Sequence, residues 1–175
     1  MEYYFRESRA LHGVVFVAAN GFDHVWPDKR NDVSRQLTRY QLDYLRKRNR
    51  RKELDRFKET CQVLAERLLA TDANTPRWLL VVANKADLYW NEIAAAEKYY
   101  LPGSGSDFDD VAQELLSEVG RGNLQYDVLP LATAPVDYRF QSTRGLLESR
   151  TQLNTIQCSA SIACLAEALE ARCDA

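Results

Sequence analysis

Two short, uninterrupted apolar runs decide what this chain can fold into. Residues 14–19 read VVFVAA and stop at Asn20-Gly21, while residues 78–83 read WLLVVA and stop at Asn84. Both are rich in β-branched residues and too short for a typical helix, so each is read as a strand. Neither alternates apolar with polar, so both faces of each strand are expected to be buried. Strands covered on both sides belong to parallel sheets with helices above and below. A third run, residues 126–132 (YDVLPLA), contains Pro130, which has no N–H to give to a ladder. It is read as an edge strand or a strand end.

The segments between these runs read as helices. Apolar or aromatic residues fall at Val33, Leu37, Tyr40 and Tyr44, then at Leu54, Phe57, Cys61, Leu64 and Leu68. Steps of three and four trace one face of a helix. The stretch 46–52 between the two sets is RKRNRRK and has no apolar residue. Two helices are expected, or one bent helix whose middle faces water, with a stop at 72–76. Residues 91–100 read as a short helix and 101–106 (LPGSGS) as a flexible loop. Residues 107–119 read as a helix capped by Ser106, with Asp109 and Asp110 in its first turn and Gly120 as its stop. Residues 137–150 are expected to form a polar loop or a weak hairpin, and 154–172 a final helix.

Composition narrows the class. At 175 residues the chain suits one domain and buries about 70% of its unfolded surface. Hydrophobic residues at 46% and charged residues at 27% exclude disordered, collagenous and purely coiled-coil chains. Lys+Arg is 23 and Asp+Glu is 25, a net charge of -2, so nucleic acid is not an expected partner. No apolar run approaches the ~18 residues of a transmembrane helix, and the N-terminus lacks the layout of a signal peptide. A cytoplasmic protein is expected. Cys61, Cys158, Cys164 and Cys173 form no Cys-x-x-Cys pair, and His12 and His24 lie far from them. Neither a zinc cluster nor a disulfide framework is expected.

One motif carries chemical information. The second run passes directly into Asn84-Lys85-Ala86-Asp87. A carboxylate accepts two hydrogen bonds side by side, from the N1–H and the 2-amino group of guanine. Adenine offers no such pair, and leaving a buried carboxylate unpaired is costly, so an Asp at this place discriminates between bases. The Lys stem is able to lie along a purine face. The Asn amide is able to bond neighbouring loops.

Residues 79–88 (LLVVANKADL) resemble the Asn-Lys-x-Asp guanine-recognition segment of Ras-like, TRAFAC-type P-loop GTPases. The resemblance implies the C-terminal part of such a domain, with the 78–84 strand between strands at 14–20 and 126–133. It also implies that residues 3–13 are the helix after the second switch. Thr133-Ala134 would be the small-residue loop backing the base, with Cys158-Ser159-Ala160 the alternative. The implied site is Asn84, Lys85, Asp87, Thr133 and Ala134, and the implied ligand is GTP or GDP. The phosphate loop Gly-x-x-x-x-Gly-Lys-Ser/Thr is missing, no Gly-Lys occurs, and Asp-x-x-Gly is missing too. The expectation is therefore a single α/β domain over residues 1–175, incomplete on its N-terminal side. It is expected to hold the nucleotide weakly and not to hydrolyse GTP by itself. Magnesium enters only with a missing N-terminal half. An upstream polypeptide or a second copy is expected to complete the sheet.

The basic run 46–52 gives the alternative: a non-enzymatic interaction module that holds a partner on this helix. RNA, an anionic membrane and an acidic protein are the partners such a run suits, and a plain solvated helix face is the simpler reading. Tyr40 and Tyr44 are expected to pack, and Trp90 to sit in the core or at a rim, with a wall of the base pocket as the alternative.

Overall fold

A computed structural model describes residues 12–22, 39–69, 77–142 and 145–173, without the side chains of 39–42, 45 and 138–149. The expectations for residues 3–11, for Val33 and Leu37 and for the stop at 72–76 lie outside the described residues. The apolar runs form β1 (Gly13–Ala18), β2 (Trp78–Asn84) and, with the third run, β3 (Gln125–Leu131). They make a parallel sheet of order β1-β2-β3, with β2 in the middle. Val15 pairs with Leu80 and Val82 with Leu129. Pro130 lies in an outer strand, where its missing N–H is tolerated.

Alternate residues of the strands feed two cores. Val14, Ala18, Leu79, Val81 and Ala83 pack on one face against α1 (Arg39–Leu69), α2 (Ile93–Tyr100) and α3 (Asp107–Val119). Phe57 and Phe108 stack there with ring centroids 4.1 Å apart. Leu80 and Val82 face the other way, against Leu165 and Leu169 of α4 (Thr155–Cys173). Helices thus lie on both faces of a parallel sheet, as the unalternating runs require. That second cover is uneven: Val15 and Val17 of β1 are 40% and 58% exposed.

Helix α1 matches the single-helix alternative but not its fully solvated middle. It is one continuous helix of 31 residues, and the basic stretch does not simply face water. Asn49 and Glu53 are buried, while Lys47, Arg48, Arg51 and Lys52 are exposed. The reason is a polar stripe at helical period, residues 46, 49, 50 and 53, aimed at the end of β1. Tyr44, expected to pack, is 51% exposed.

The 101–106 loop also differs from its flexible reading. The Asp109 carboxylate accepts the N–H groups of Gly103 (2.6 Å) and Gly105 (2.8 Å), which close the loop onto the first turn of α3. These bonds hold the Asp109 carboxyl below the usual carboxylate range. Ser106 Oγ accepts Asp109 N–H at 3.1 Å, the expected N-cap, and Gly120 ends the helix at φ 86°. Residues 137–150 contain an antiparallel hairpin, β4 (Tyr138–Ser142) and β5 (Gly145–Ser149).

Candidate functional site

The carboxyl edge of a parallel sheet is where its loops gather, and here three of them meet. The first follows β1. Asn20 (φ 49°) and Gly21 (φ 82°) turn the chain left-handed. A Cβ on Gly21 would lie 2.6 Å from the Arg46 carbonyl oxygen, so glycine is needed there. The polar stripe of α1 holds this turn. The buried Glu53 carboxylate accepts Ala19 N–H (2.9 Å), Gly21 N–H (3.1 Å) and the Tyr100 hydroxyl (3.2 Å). Asn49 Nδ2 donates to Gly21 O at 2.9 Å, and Arg50 Nη2 donates to Asn20 Oδ1 at 2.5 Å. Arg46 stacks over the Phe22 ring, 4.8 Å from its centroid, and pairs with Glu92 at 3.3 Å.

The second loop is the motif itself. Asn84 is the last residue of β2, and Lys85 takes the left-handed conformation (φ 58°, ψ 32°) at the head of a 3-10 turn, Ala86–Leu88. Such backbone is rare outside Gly and Asn and costs about 1–2 kcal/mol. Local bonds hold it. Asn84 Oδ1 accepts Lys85 N–H at 2.7 Å, and Lys85 Nζ donates to Phe22 O at 2.5 Å. The Tyr89 hydroxyl lies 2.9 Å and 2.8 Å from the carbonyl oxygens of Ala83 and Asn84, and its ring stacks on Phe22 at 5.9 Å. Phe22, Ala86, Leu88 and Tyr89 pack with Ala132, Leu153 and Cys158 into a small core beneath the site.

Asp87 is only 4% exposed. Burial raises its carboxyl above the usual carboxylate range, while the Thr151 hydroxyl, the backbone N–H groups of Asp87 and Val136, and the Lys85 charge pull it down.

The third loop follows β3. Thr133 and Ala134 are exposed, and Ala134 O accepts Val136 N–H at 3.0 Å. Ala132 N–H donates to Ser161 Oγ of α4 at 2.9 Å. The alternative stretch Cys158-Ser159-Ala160 lies within α4, with Cys158 buried and Ser159 exposed. Trp90 is 38% exposed, so it does not lie in the core.

The fold therefore gathers Asn84, Lys85 and Asp87 at the end of the central strand, with Thr133 and Ala134 on the neighbouring loop. Sequence reasoning missed the residues that brace them. Gln152 donates N–H to Asp87 O (2.6 Å) and Nε2 to Leu88 O (3.1 Å), and its Oε1 accepts Asn91 N–H (2.8 Å). A lone Gln in a loop gives no signal. Glu53 was legible in principle, as the last member of a polar stripe in step with the apolar face of α1. Among the described residues no group of three or more His, Cys, Asp or Glu could hold a metal ion, and no helix is long and apolar enough to cross a membrane. Cys61 is buried, and that burial, with the nearby Glu114, pushes its thiol up to about 12. It is not a nucleophile in this state.

Comparison with protein-family models, curated proteins and solved structures returned no match, so any family reading rests on the residues themselves.

Proposed function

We propose that this domain is a GTPase-like guanine-nucleotide-binding domain in which the base site is kept and the phosphate loop is missing. The observation that supports it is the placement of Asn84-Lys85-Ala86-Asp87. The tetrapeptide ends the central strand of a parallel sheet at its carboxyl edge, the ordinary ligand position of open α/β folds. In this reading Asp87 accepts the guanine N1–H and 2-amino group, the Lys85 stem flanks the purine, and Asn84 steadies the loop. Thr133 and Ala134 back the base. Negligible hydrolysis is expected of the isolated chain, because its sequence carries no Gly-x-x-x-x-Gly-Lys-Ser/Thr loop to supply the backbone amides and lysine that, with magnesium, position and neutralise a triphosphate. Binding is weak, resting on base contacts alone. Magnesium belongs to the site only if another polypeptide supplies the phosphate half.

A second reading, a protein interaction module, is favoured by two exposed features: the cations Lys47, Arg48, Arg51 and Lys52 on α1, and Val15 and Val17 on β1. Titration calorimetry with GDP, GTP and ATP separates the two. The nucleotide reading expects weak heats with GDP and GTP and none with ATP. Equal binding of ATP, or no binding of any nucleotide, removes it and leaves the interaction module.

A further inference from the structure

The side chains that meet at the β1 turn hold hydrogen-bonding capacity they do not use. Arg50 Nη2 donates to Asn20 Oδ1 at 2.5 Å, and the Arg46 guanidinium lies 4.8 Å from the Phe22 ring centroid. Arg46 and Arg50 are four residues apart on α1 and so share one helix face. Asn20 is fully buried, and its amide orientation is fixed, because Arg50 is a donor only and needs the oxygen. Among the described residues, Nε and Nη2 of Arg46, Nε of Arg50 and Nδ2 of Asn20 are buried donors with no acceptor. Nε and Nη2 make up one edge of a guanidinium, the fork that takes two oxygens side by side. In Arg46 that whole edge is open, since the pair with Glu92 uses Nη1. Arg50 makes no ion pair among the described residues. The neighbouring Glu53 carboxylate gives its oxygens to Ala19 N–H, Gly21 N–H and the Tyr100 hydroxyl. One acceptor at the turn, Asn49 Oδ1, is also buried without a donor. Buried polar atoms in folded proteins have partners, so a group of open ones at a single turn calls for an occupant.

We propose that Arg46, Arg50 and Asn20 form an oxyanion site for a phosphate group at the β1 turn. Arg46 takes two oxygens through its Nε–Nη2 fork, while Arg50 Nε and Asn20 Nδ2 donate to the others. A carboxylate suits the fork but has only two oxygens, so a tetrahedral oxyanion uses the set more fully. Asn49 Oδ1 accepts from the O–H of hydrogen phosphate, which sulfate lacks at neutral pH. The Phe22 face holds the Arg46 guanidinium while its edge stays open. The Lys85 ammonium, 2.5 Å from Phe22 O, adds a third positive charge at the turn, against the carboxylates of Glu53 and Glu92. The Arg46 side chain keeps 14% of its surface exposed and Arg50 is half-buried, so the cluster is open to solvent ions. The group has two possible sources, free phosphate and the phosphoryl end of a nucleotide. The site goes beyond the base reading and does not rest on it, because none of its three donor residues belongs to the Asn84–Asp87 motif.

The test follows the Nε–H resonances of Arg46 and Arg50 by NMR as inorganic phosphate replaces chloride at constant ionic strength and pH. The full chain is compared with Arg46→Lys, which keeps the charge and removes the fork, and with Asn20→Asp. The second variant keeps the oxygen that Arg50 uses and puts another oxygen where Nδ2 was, in a residue type that tolerates the left-handed turn. It therefore keeps the proposal testable if Arg46→Lys fails to fold. Both resonances of the wild type should move along one saturable curve, with sulfate binding several-fold more weakly. Each variant should bind phosphate about tenfold more weakly or worse, since each loses a charge-assisted contact. No saturable shift, or wild-type affinity in both variants, overturns the site and leaves water as the occupant. Equal binding of sulfate overturns it in favour of an unselective basic patch. Guanosine and GDP then separate the two sources. If GDP moves the same two resonances and binds tighter than guanosine, the source is a nucleotide and the base reading gains support. If phosphate moves them and GDP does not, the oxyanion site stands for free phosphate while the base reading falls.

Discussion

The ammonium of Lys85 lies 2.5 Å from the carbonyl oxygen of Phe22, so the loop after β1 and the first residue past β2 are joined by a charged hydrogen bond. Such bonds contribute about 1.5–3 kcal/mol when partly buried. The same contact helps hold Lys85 in its left-handed backbone. Lys85→Met keeps the aliphatic stem and removes the donor. Urea unfolding should show a loss of about 1–3 kcal/mol, with Lys85→Arg recovering part of it. An unchanged midpoint for Lys85→Met would mean that the contact adds nothing to the loop.

Glu53 is the hub beneath the β1 turn. Replacing it with Ala leaves the N–H groups of Ala19 and Gly21 and the Tyr100 hydroxyl without their acceptor in a buried place. Each buried group so abandoned costs about 1–3 kcal/mol, so Glu53→Ala should lose about 3 kcal/mol or more. Glu53→Gln keeps one acceptor oxygen and should lose less. Thermal or denaturant unfolding of the pair decides it, and equal losses from Ala and Gln would contradict the hub assignment.

Those two contacts also mark what a sequence does and does not disclose. Trp78 to Ala83 was legible because burial on both faces leaves an unbroken apolar run; Val14 to Ala18 was legible as a strand from the same pattern, although Val15 and Val17 are exposed. Ser106 and Gly120 were legible because cap chemistry is local. Glu53 was harder to read: its partners are backbone groups 32 and 34 residues away, and charge in a sequence looks the same whether it faces water or a buried amide. The middle of α1 was read as facing water for the same reason, since RKRNRRK looks solvated until Asn49 within it, and Glu53 beyond it, are seen to be buried. Asn84, Lys85 and Asp87 were legible as a motif on a strand end. Gln152 was not, because its role depends on how the hairpin returns the chain.

The outer side of β1 bears on association. Among the described residues β1 pairs with β2 alone, and Val17 is 58% exposed. Unpaired strand edges with apolar side chains recruit other chains. Light-scattering mass should rise with concentration above that of the monomer, and Val17→Lys should return the protein to a monomer. A constant monomer mass for wild type across the range would show that no second copy pairs there.

The central claim is that Asp87 reads a guanine edge, and changing the edge that Asp87 sees tests it most directly. Asp87→Asn turns one acceptor oxygen into a donor, which suits the 2-oxo group of xanthine and opposes the 2-amino group of guanine. Calorimetric titration of wild type and Asp87→Asn with GDP and with xanthosine diphosphate should show exchanged preferences. Each swap of a matched for a mismatched buried pair is worth about 1–3 kcal/mol, roughly tenfold or more in affinity. GDP affinity that is indifferent to Asp87→Asn, with no gain for xanthosine diphosphate, would contradict the account.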